Sequence, residues 1–179
     1  MTTKQITATN ADEQIRQLYQ TAFPEEEQIP WPELLGLIDR MQLDFTVYYE
    51  GEEFIGFFIV YPRPTFNWFW YFAVREELRG RGYGQQILTQ LIDRYKHSSN
   101  ILDMESPDHP SPNPEQRKRR HQFYLRNGFR DTHVYRTFDD NTFTIMMMGE
   151  GTFTKEDYDE ILKELQQFWW SDDMEIKDE

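Results

Sequence analysis

Cysteine is absent from the 179 residues. That excludes disulfides and thiolate metal sites, and it fits a reducing compartment. Long apolar runs are missing too: the longest, residues 68–74, is far too short to span a bilayer. The amino-terminal MTTKQITATN lacks the basic stretch and apolar core of a secretory leader. These absences lead us to expect a soluble, cytoplasmic protein. Basic residues are a minority, 19 Lys and Arg against 32 Asp and Glu, for a net charge of −13. General nucleic-acid binding, which neutralises phosphates with Lys and Arg, is therefore not expected. The charge is uneven: residues 150–179 carry a net −8 and residues 111–130 a net +5. An acidic protein with one basic segment suits a cationic substrate and a locally held anionic cofactor, although acidity also serves solubility alone.

What is abundant is aromatic: 16% of the chain is Phe, Trp or Tyr. Many of these fall in short runs that alternate with helical patterns, as in one α/β or α+β domain. Strands are expected over 4–7, 45–49, 54–61, 67–74, 101–105, 129–135 and 143–148. The run at 67–74 is apolar on both sides, the mark of a central strand. Helices are expected over 11–23 and 31–41, and through Ile87, Leu88, Leu91, Ile92 and Tyr95. Another starts at Asn113-Pro114 and stops before Gly128. A last one follows Thr154 and Asp157, which resemble a capping box, with Tyr158, Ile161, Leu162, Leu165, Phe168 and Trp169 as its apolar stripe.

Residues 74–84 read VREELRGRGYG, between a buried strand and an amphipathic helix. Glycines at every second position let backbone approach a ligand and reach positive φ. First-turn amides and the helix dipole favour an anion there, and Arg79 and Arg81 add charge-assisted donors. The segment reads as a pyrophosphate cradle. It is not the dinucleotide fingerprint, because Gln85 stands where its third glycine belongs, and no nucleoside-triphosphate loop occurs anywhere.

Arg79-Gly80-Arg81-Gly82-Tyr83-Gly84 resembles the R/Q-x-x-G-x-G/A signature of the GNAT superfamily of N-acetyltransferases, and the resemblance extends over nearly the whole chain. It implies a mixed, mostly antiparallel sheet flanked by helices, splayed between its fourth and fifth strands to admit a pantetheine arm, with acetyl-CoA as co-substrate. Backbone of Phe72, Ala73 and Val74 would line that arm, and the amides of Arg79, Gly80, Arg81, Gly82, Tyr83 and Gly84 would hold the pyrophosphate. Residues 1–149 would form the acetyltransferase domain. The acidic helix in 150–179 lies outside the common core and would pack on that domain or join two copies in a homodimer.

Acetyl transfer needs a neutral amine, a stabilised oxyanion and a proton for the departing thiolate. Tyr124, in the family-like Tyr124-Leu125-Arg126-Asn127-Gly128-Phe129, is the expected acid. Glu105, ending the strand beside the splay, is the expected base, with Asp103 and the loop residue His109 as competitors. Arg117 stands where many family members carry asparagine; with Arg120 and Tyr124 it falls on one helical stripe, facing the coenzyme or forming a solvated basic face. The acceptor, a small-molecule or peptide amine, would enter past residues 24–32, the loop after Glu105 and the turn near Asp139. Glu25, Glu26 and Glu27 offer negative charge to a cation. No metal site is expected: there is no H-E-x-x-H, and Met146-Met147-Met148 reads as core strand. The alternative to an enzyme is a catalytically silent acyl-CoA sensor or protein-interaction module using the tail helix.

Overall fold

The aromatic and β-branched runs become seven strands: β1 (Thr2–Gln5), β2 (Asp44–Glu50), β3 (Glu53–Tyr61), β4 (Phe66–Val74), β5 (Ser99–Glu105), β6 (Arg130–Phe138) and β7 (Asn141–Met148). Five helices accompany them: α1 (Glu13–Ala22), α2 (Trp31–Arg40), α3 (Tyr83–Arg94), α4 (Pro114–Arg126) and α5 (Lys155–Phe168). This computed structural model describes residues 1–138 and 140–168. Asp139 and Trp169, named above for the acceptor turn and the tail, lie outside the described residues.

The strands join one sheet in the order β1-β2-β3-β4-β5-β7-β6. All neighbours are antiparallel except β4 and β5. The expected mixed, mostly antiparallel sheet is therefore present. On one face α1, α2 and α5 bury Ile15, Leu18, Leu34, Leu37, Ile161 and Leu165 against Phe57, Ile59, Trp68 and Ile101. On the other, α3 and α4 bury Ile87, Leu88, Leu91 and Tyr124 against Phe58, Val60, Phe69 and Leu102.

Helix α5 adds to the first of these layers. Thr154 and Asp157 form the reciprocal capping box: Asp157 N–H donates to Thr154 Oγ1 (3.2 Å) and Thr154 N–H to Asp157 Oδ2 (2.8 Å). Glu164 then accepts from Arg63 Nε (2.7 Å), Arg63 Nη2 (2.8 Å) and the Tyr61 hydroxyl (2.8 Å), fixing the helix to the end of β3. Its Tyr158, Ile161 and Leu165 are buried within the chain's own core.

At α4 the expected cap differs. Asn113 precedes Pro114 as anticipated, but its side chain makes no capping bond. Its amide donates to Gln116 Oε1 and its Oδ1 accepts from Arg117 Nε (3.2 Å), because a buried arginine competes for that oxygen.

Candidate active site

The site is created where β4 and β5 stop being partners. They pair in parallel over only three positions, Phe66–Ser99, Asn67–Asn100 and Trp68–Ile101, and then diverge. A β-bulge on β4 accompanies the divergence: Ile59 pairs with Tyr71 and Val60 with Phe69, leaving Trp70 as the extra residue. A bulge bends its strand and raises the local twist. It also resets the alternation of faces, so Trp68, Tyr71 and Ala73 join the α1/α2 layer while Phe69, Phe72 and Val74 face α3 and α4. Beyond Trp68, β4 has no partner on its β5 side, so alternate residues direct unpaired amides and carbonyls into the gap. The result is a cleft of about 1160 Å³, lined by Phe72, Ala73, Val74 and Arg79 from β4 and its following loop, and by Asp103 and Glu105 from β5.

The glycine-rich loop begins just after Arg79, which lines the cleft. Gly80 (φ 77°) and Gly82 (φ 83°) take left-handed backbone, with open space where a Cβ would stand. Gly82 caps α3 without a side chain, and among the described residues no amide from Gly80 to Gln85 has an acceptor. Six successive N–H groups at the N-terminus of α3 are thus free to meet an anion, with Arg79 and Arg81 in the same segment. Gly84 sits 3.7 Å, measured from an added Cβ, from the Phe72 ring, which joins the loop to the cleft wall. Residues 79–84 form the bend that leads from the short turn after β4 into α3.

Tyr124 is positioned by the end of α4. Phe129 N–H donates to Tyr124 C=O and Gly128 N–H to Leu125 C=O, both at 3.1 Å, with Gly128 at φ 94°. This is a Schellman ending, and its usual apolar contact is present as the Tyr124 and Phe129 rings, 5.6 Å apart. The Tyr-x-x-x-Gly-Phe spacing therefore has a backbone cause. Gln85 and Asn127 exchange two amide hydrogen bonds (2.6 and 3.0 Å), tying the start of α3 to this turn. The Tyr124 hydroxyl makes no hydrogen bond among the described residues, and its residue lines the cleft. Burial pushes its pKa up to about 12, with Arg120 acting against that shift and Asp103 with it.

Four carboxylates line the other end of the cleft: Glu26, Glu27, Asp103 and Glu105. Glu105 Oε2 lies 2.6 Å from Arg117 Nε, with the two side chains only 13% and 4% exposed. Arg117 also reaches Asn113 and Asn141. It does not line the cleft, so the expected coenzyme contact from Arg117 is corrected to a buried pairing; a solvated face is equally ruled out. Its stripe-mates Arg120 and Tyr124 do line the cleft. Asp103 accepts from Trp68 Nε1 (3.2 Å), and burial raises its pKa against the opposing pull of Arg136. His109 does not line the cleft; its Nδ1 meets Ser106 Oγ at 2.8 Å.

Glu27 was anticipated only as one of three negative charges. It ends the short 3-10 turn Glu25–Glu27 between α1 and α2. The Tyr71 hydroxyl donates to its carbonyl (2.7 Å). Tyr19 bridges Ile29 twice just beyond it. The turn is thus held from below by two buried tyrosines. Glu27 Oε1 is buried with no hydrogen-bond partner among the described residues. Burial, reinforced by Glu105 and Asp103 and opposed by Arg120, pushes its pKa up to about 7.

Sequence reasoning also missed the walls of this end. Trp68 and Trp70 stack at 4.8 Å, and Trp70 and Tyr71 at 5.2 Å, a row that exists because the bulge places them on one face. Leu162 and Leu165 of α5 and Arg136 of β6 complete it. Among the described residues no group of three or more His, Asp or Glu is placed to hold a metal ion.

Comparison with known proteins places this geometry. A search of curated proteins finds no match. Among solved structures, a protein from Bacteroides thetaiotaomicron described as a GNAT-family acetyltransferase is 24% identical, covering 96% of this chain and 100% of its own, with a TM-score of 0.77. A GNAT acetyltransferase from Elizabethkingia anophelis, solved with acetyl-CoA bound, is 18% identical over 83% of this chain and 97% of its own, with a TM-score of 0.59. An aminoglycoside 6′-N-acetyltransferase complexed with coenzyme A is 15% identical over 82% and 96%, with a TM-score of 0.63. These likenesses concern the fold. The sequence model of the Acetyltransferase (GNAT) family matches residues 13–129, and the chain, with its splayed sheet and glycine-arginine loop, belongs to that family.

Proposed function

We propose that the protein is an N-acetyltransferase that moves the acetyl group of acetyl-CoA to a primary amine of a small molecule or peptide. One observation carries the reading: among the described residues six successive amides, Gly80 to Gln85, lack an acceptor, and they directly follow Arg79, which lines the cleft between β4 and β5. Structural neighbours solved with acetyl-CoA and with coenzyme A support it. The diphosphate would sit on the amides of 80–85, with Arg79 and Arg81 on its oxygens. The pantetheine arm would run along Phe72, Ala73 and Val74, as an added strand using the free edge of β4. We place the activity in the cytoplasm, on the strength of the cysteine-free composition.

In this arrangement Tyr124 stands ready at the sulfur. A pKa near 12 keeps its hydroxyl protonated throughout the working range. Complete transfer to a thiolate of pKa ~8.5 would be uphill by roughly 5 kcal/mol. Tyr124 therefore acts chiefly as a hydrogen-bond donor that shares its proton as the C–S bond breaks, and the dry cleft that raises the tyrosine also raises the thiolate. Acidic Glu27, Asp103 and Glu105 at the acceptor end would attract a cationic amine. The contact with Arg117 fixes the position of the Glu105 carboxyl at the cleft wall, which suits it to orienting a cationic group.

The test is release of free thiol from acetyl-CoA with a panel of amines: a diamine, an aminoglycoside and a dipeptide with a free amino terminus. Turnover with at least one is expected. A protein that gains thermal stability from acetyl-CoA yet acetylates none would instead be an acyl-CoA sensor.

A further inference from the structure

Of the four carboxylates that line this end of the cleft, two already have partners and Glu26 is exposed. Glu105 is paired with Arg117 at 2.6 Å and Asp103 with the Trp68 indole at 3.2 Å. Glu27 alone has a buried carboxylate oxygen that meets no donor. We propose that Glu27 is the general base that takes the proton from the attacking amine, while Asp103 and Glu105 serve as fixed charges that orient it. This rests on the acetyltransferase reading above.

Placement supports the assignment first. Glu27 stands on the α1–α2 connection, across the cleft from α4, which carries Tyr124. Its backbone is held by the Tyr71 hydroxyl, and Gln28 beside it donates to the carbonyls of Gln20 (2.9 Å) and Phe23 (2.7 Å). A side chain on a turn anchored this way is presented rather than loose. A buried carboxylate oxygen without a donor costs stability, and such groups persist where an incoming ligand completes them. The N–H of an amine is the missing donor.

Charge supports it second. Facing Glu27 are Glu105 and Asp103 from β5, Tyr71 from β4, Arg120 from α4 and Glu26 from its own turn. The acidic neighbours and burial together outweigh Arg120, so the carboxyl titrates near neutrality instead of near the ordinary ~4.3. A base of that strength accepts an amine proton far more readily than a solvated carboxylate, and is still ionised at neutral pH for about half of the molecules.

The step balances. The amine nitrogen donates its lone pair to the thioester carbonyl carbon, forming the C–N bond, and the carbonyl π pair moves onto oxygen. The nitrogen's proton passes to Glu27. The oxygen's pair then restores the carbonyl, and the C–S bond breaks with its pair going to sulfur, which leaves as a thiolate hydrogen-bonded by the Tyr124 hydroxyl. The thiolate takes a proton from solvent, and solvent removes the proton from Glu27.

The experiment measures kcat/KM against pH, with acetyl-CoA and the best amine of the panel, for the wild type, Glu27→Gln and Glu105→Gln. Acetyl-CoA affinity is measured for all three to establish that each is folded. Expected are a wild-type limb rising with pH through about 7, its disappearance in E27Q with at least a hundredfold lower kcat/KM at pH 8, and its survival in E105Q. Acetyl-CoA affinity in E27Q should stay within a few-fold of wild type. An E27Q enzyme that keeps the limb and most of its rate overturns the proposal and leaves the acetyltransferase reading standing. A wild type that binds acetyl-CoA but acetylates no amine overturns both.

Discussion

Arg117 Nε and Glu105 Oε2 stand 2.6 Å apart between the first turn of α4 and the end of β5, the arginine buried and the glutamate at the cleft wall. Breaking one side of such a pair leaves a charge without compensation in a dry place. Arg117→Met is expected to lower stability by roughly 3 kcal/mol, whereas Arg117→Met with Glu105→Gln should recover much of that loss. Urea denaturation of the two variants measures the difference.

Tyr124→Phe keeps the ring contact with Phe129 and removes only the hydroxyl. Acetyl-CoA affinity should hold while kcat falls by about 10²-fold, the scale of a lost proton donor. Equal losses in binding and rate would assign the residue to packing instead. Stopped-flow binding alongside steady-state kinetics separates the two.

The glycines of the loop differ in what they tolerate. Gly82 needs φ near 83°, so Gly82→Ala should cost ~1–2 kcal/mol in backbone strain and weaken acetyl-CoA binding together. An alanine at Gly84 would meet Phe72 at 3.7 Å, an ordinary contact, and should be nearly neutral for folding. Melting temperatures with and without acetyl-CoA report both effects.

Glu27 also predicts a stability change that requires no substrate. Its folded pKa is raised, so the native state holds this proton more tightly than the unfolded chain. The associated stability is complete below about pH 4.3 and is lost as pH rises through about 7. Glu27→Gln removes that loss. It should be stabilising by on the order of 1–2 kcal/mol at pH 8, after allowance for partial solvent access, and close to neutral at pH 4.5. Guanidinium denaturation at the two pH values checks the sign.

Leu162 and Leu165 of α5 line the cleft, so under the proposed function the helix would contribute to the choice of amine as well as to the core. Leu162→Ala should widen that end and shift the amine preference toward bulkier acceptors, leaving acetyl-CoA affinity unchanged. KM values across the amine panel decide it.

The elements were legible because each buried face repeats at its own period: Ile15, Leu18 and Tyr19 on α1, or Ile87, Leu88 and Leu91 on α3. The coenzyme end was legible for a related reason, since glycine spacing, a following helix and the Tyr124-to-Phe129 turn are all local in sequence. The acceptor end was not. Residues 68–74 are apolar throughout, so nothing in the pattern marks Trp70 as a bulge. Arg117 looked like one more residue of a basic helix face, because its partner Glu105 approaches only through the β5–α4 packing. Glu27 sits in a run of three glutamates that reads as solvated, and its burial comes from tertiary contacts, with Tyr71 beneath and β5 opposite.

Calorimetric titration with acetyl-CoA and, separately, with S-acetylpantetheine tests the central claim most directly. If the Gly80–Gln85 amides hold linked phosphates, acetyl-CoA should bind one per chain and at least a hundredfold more tightly than the phosphate-free thioester. Equal affinity for the two, or no heat with either, would contradict it.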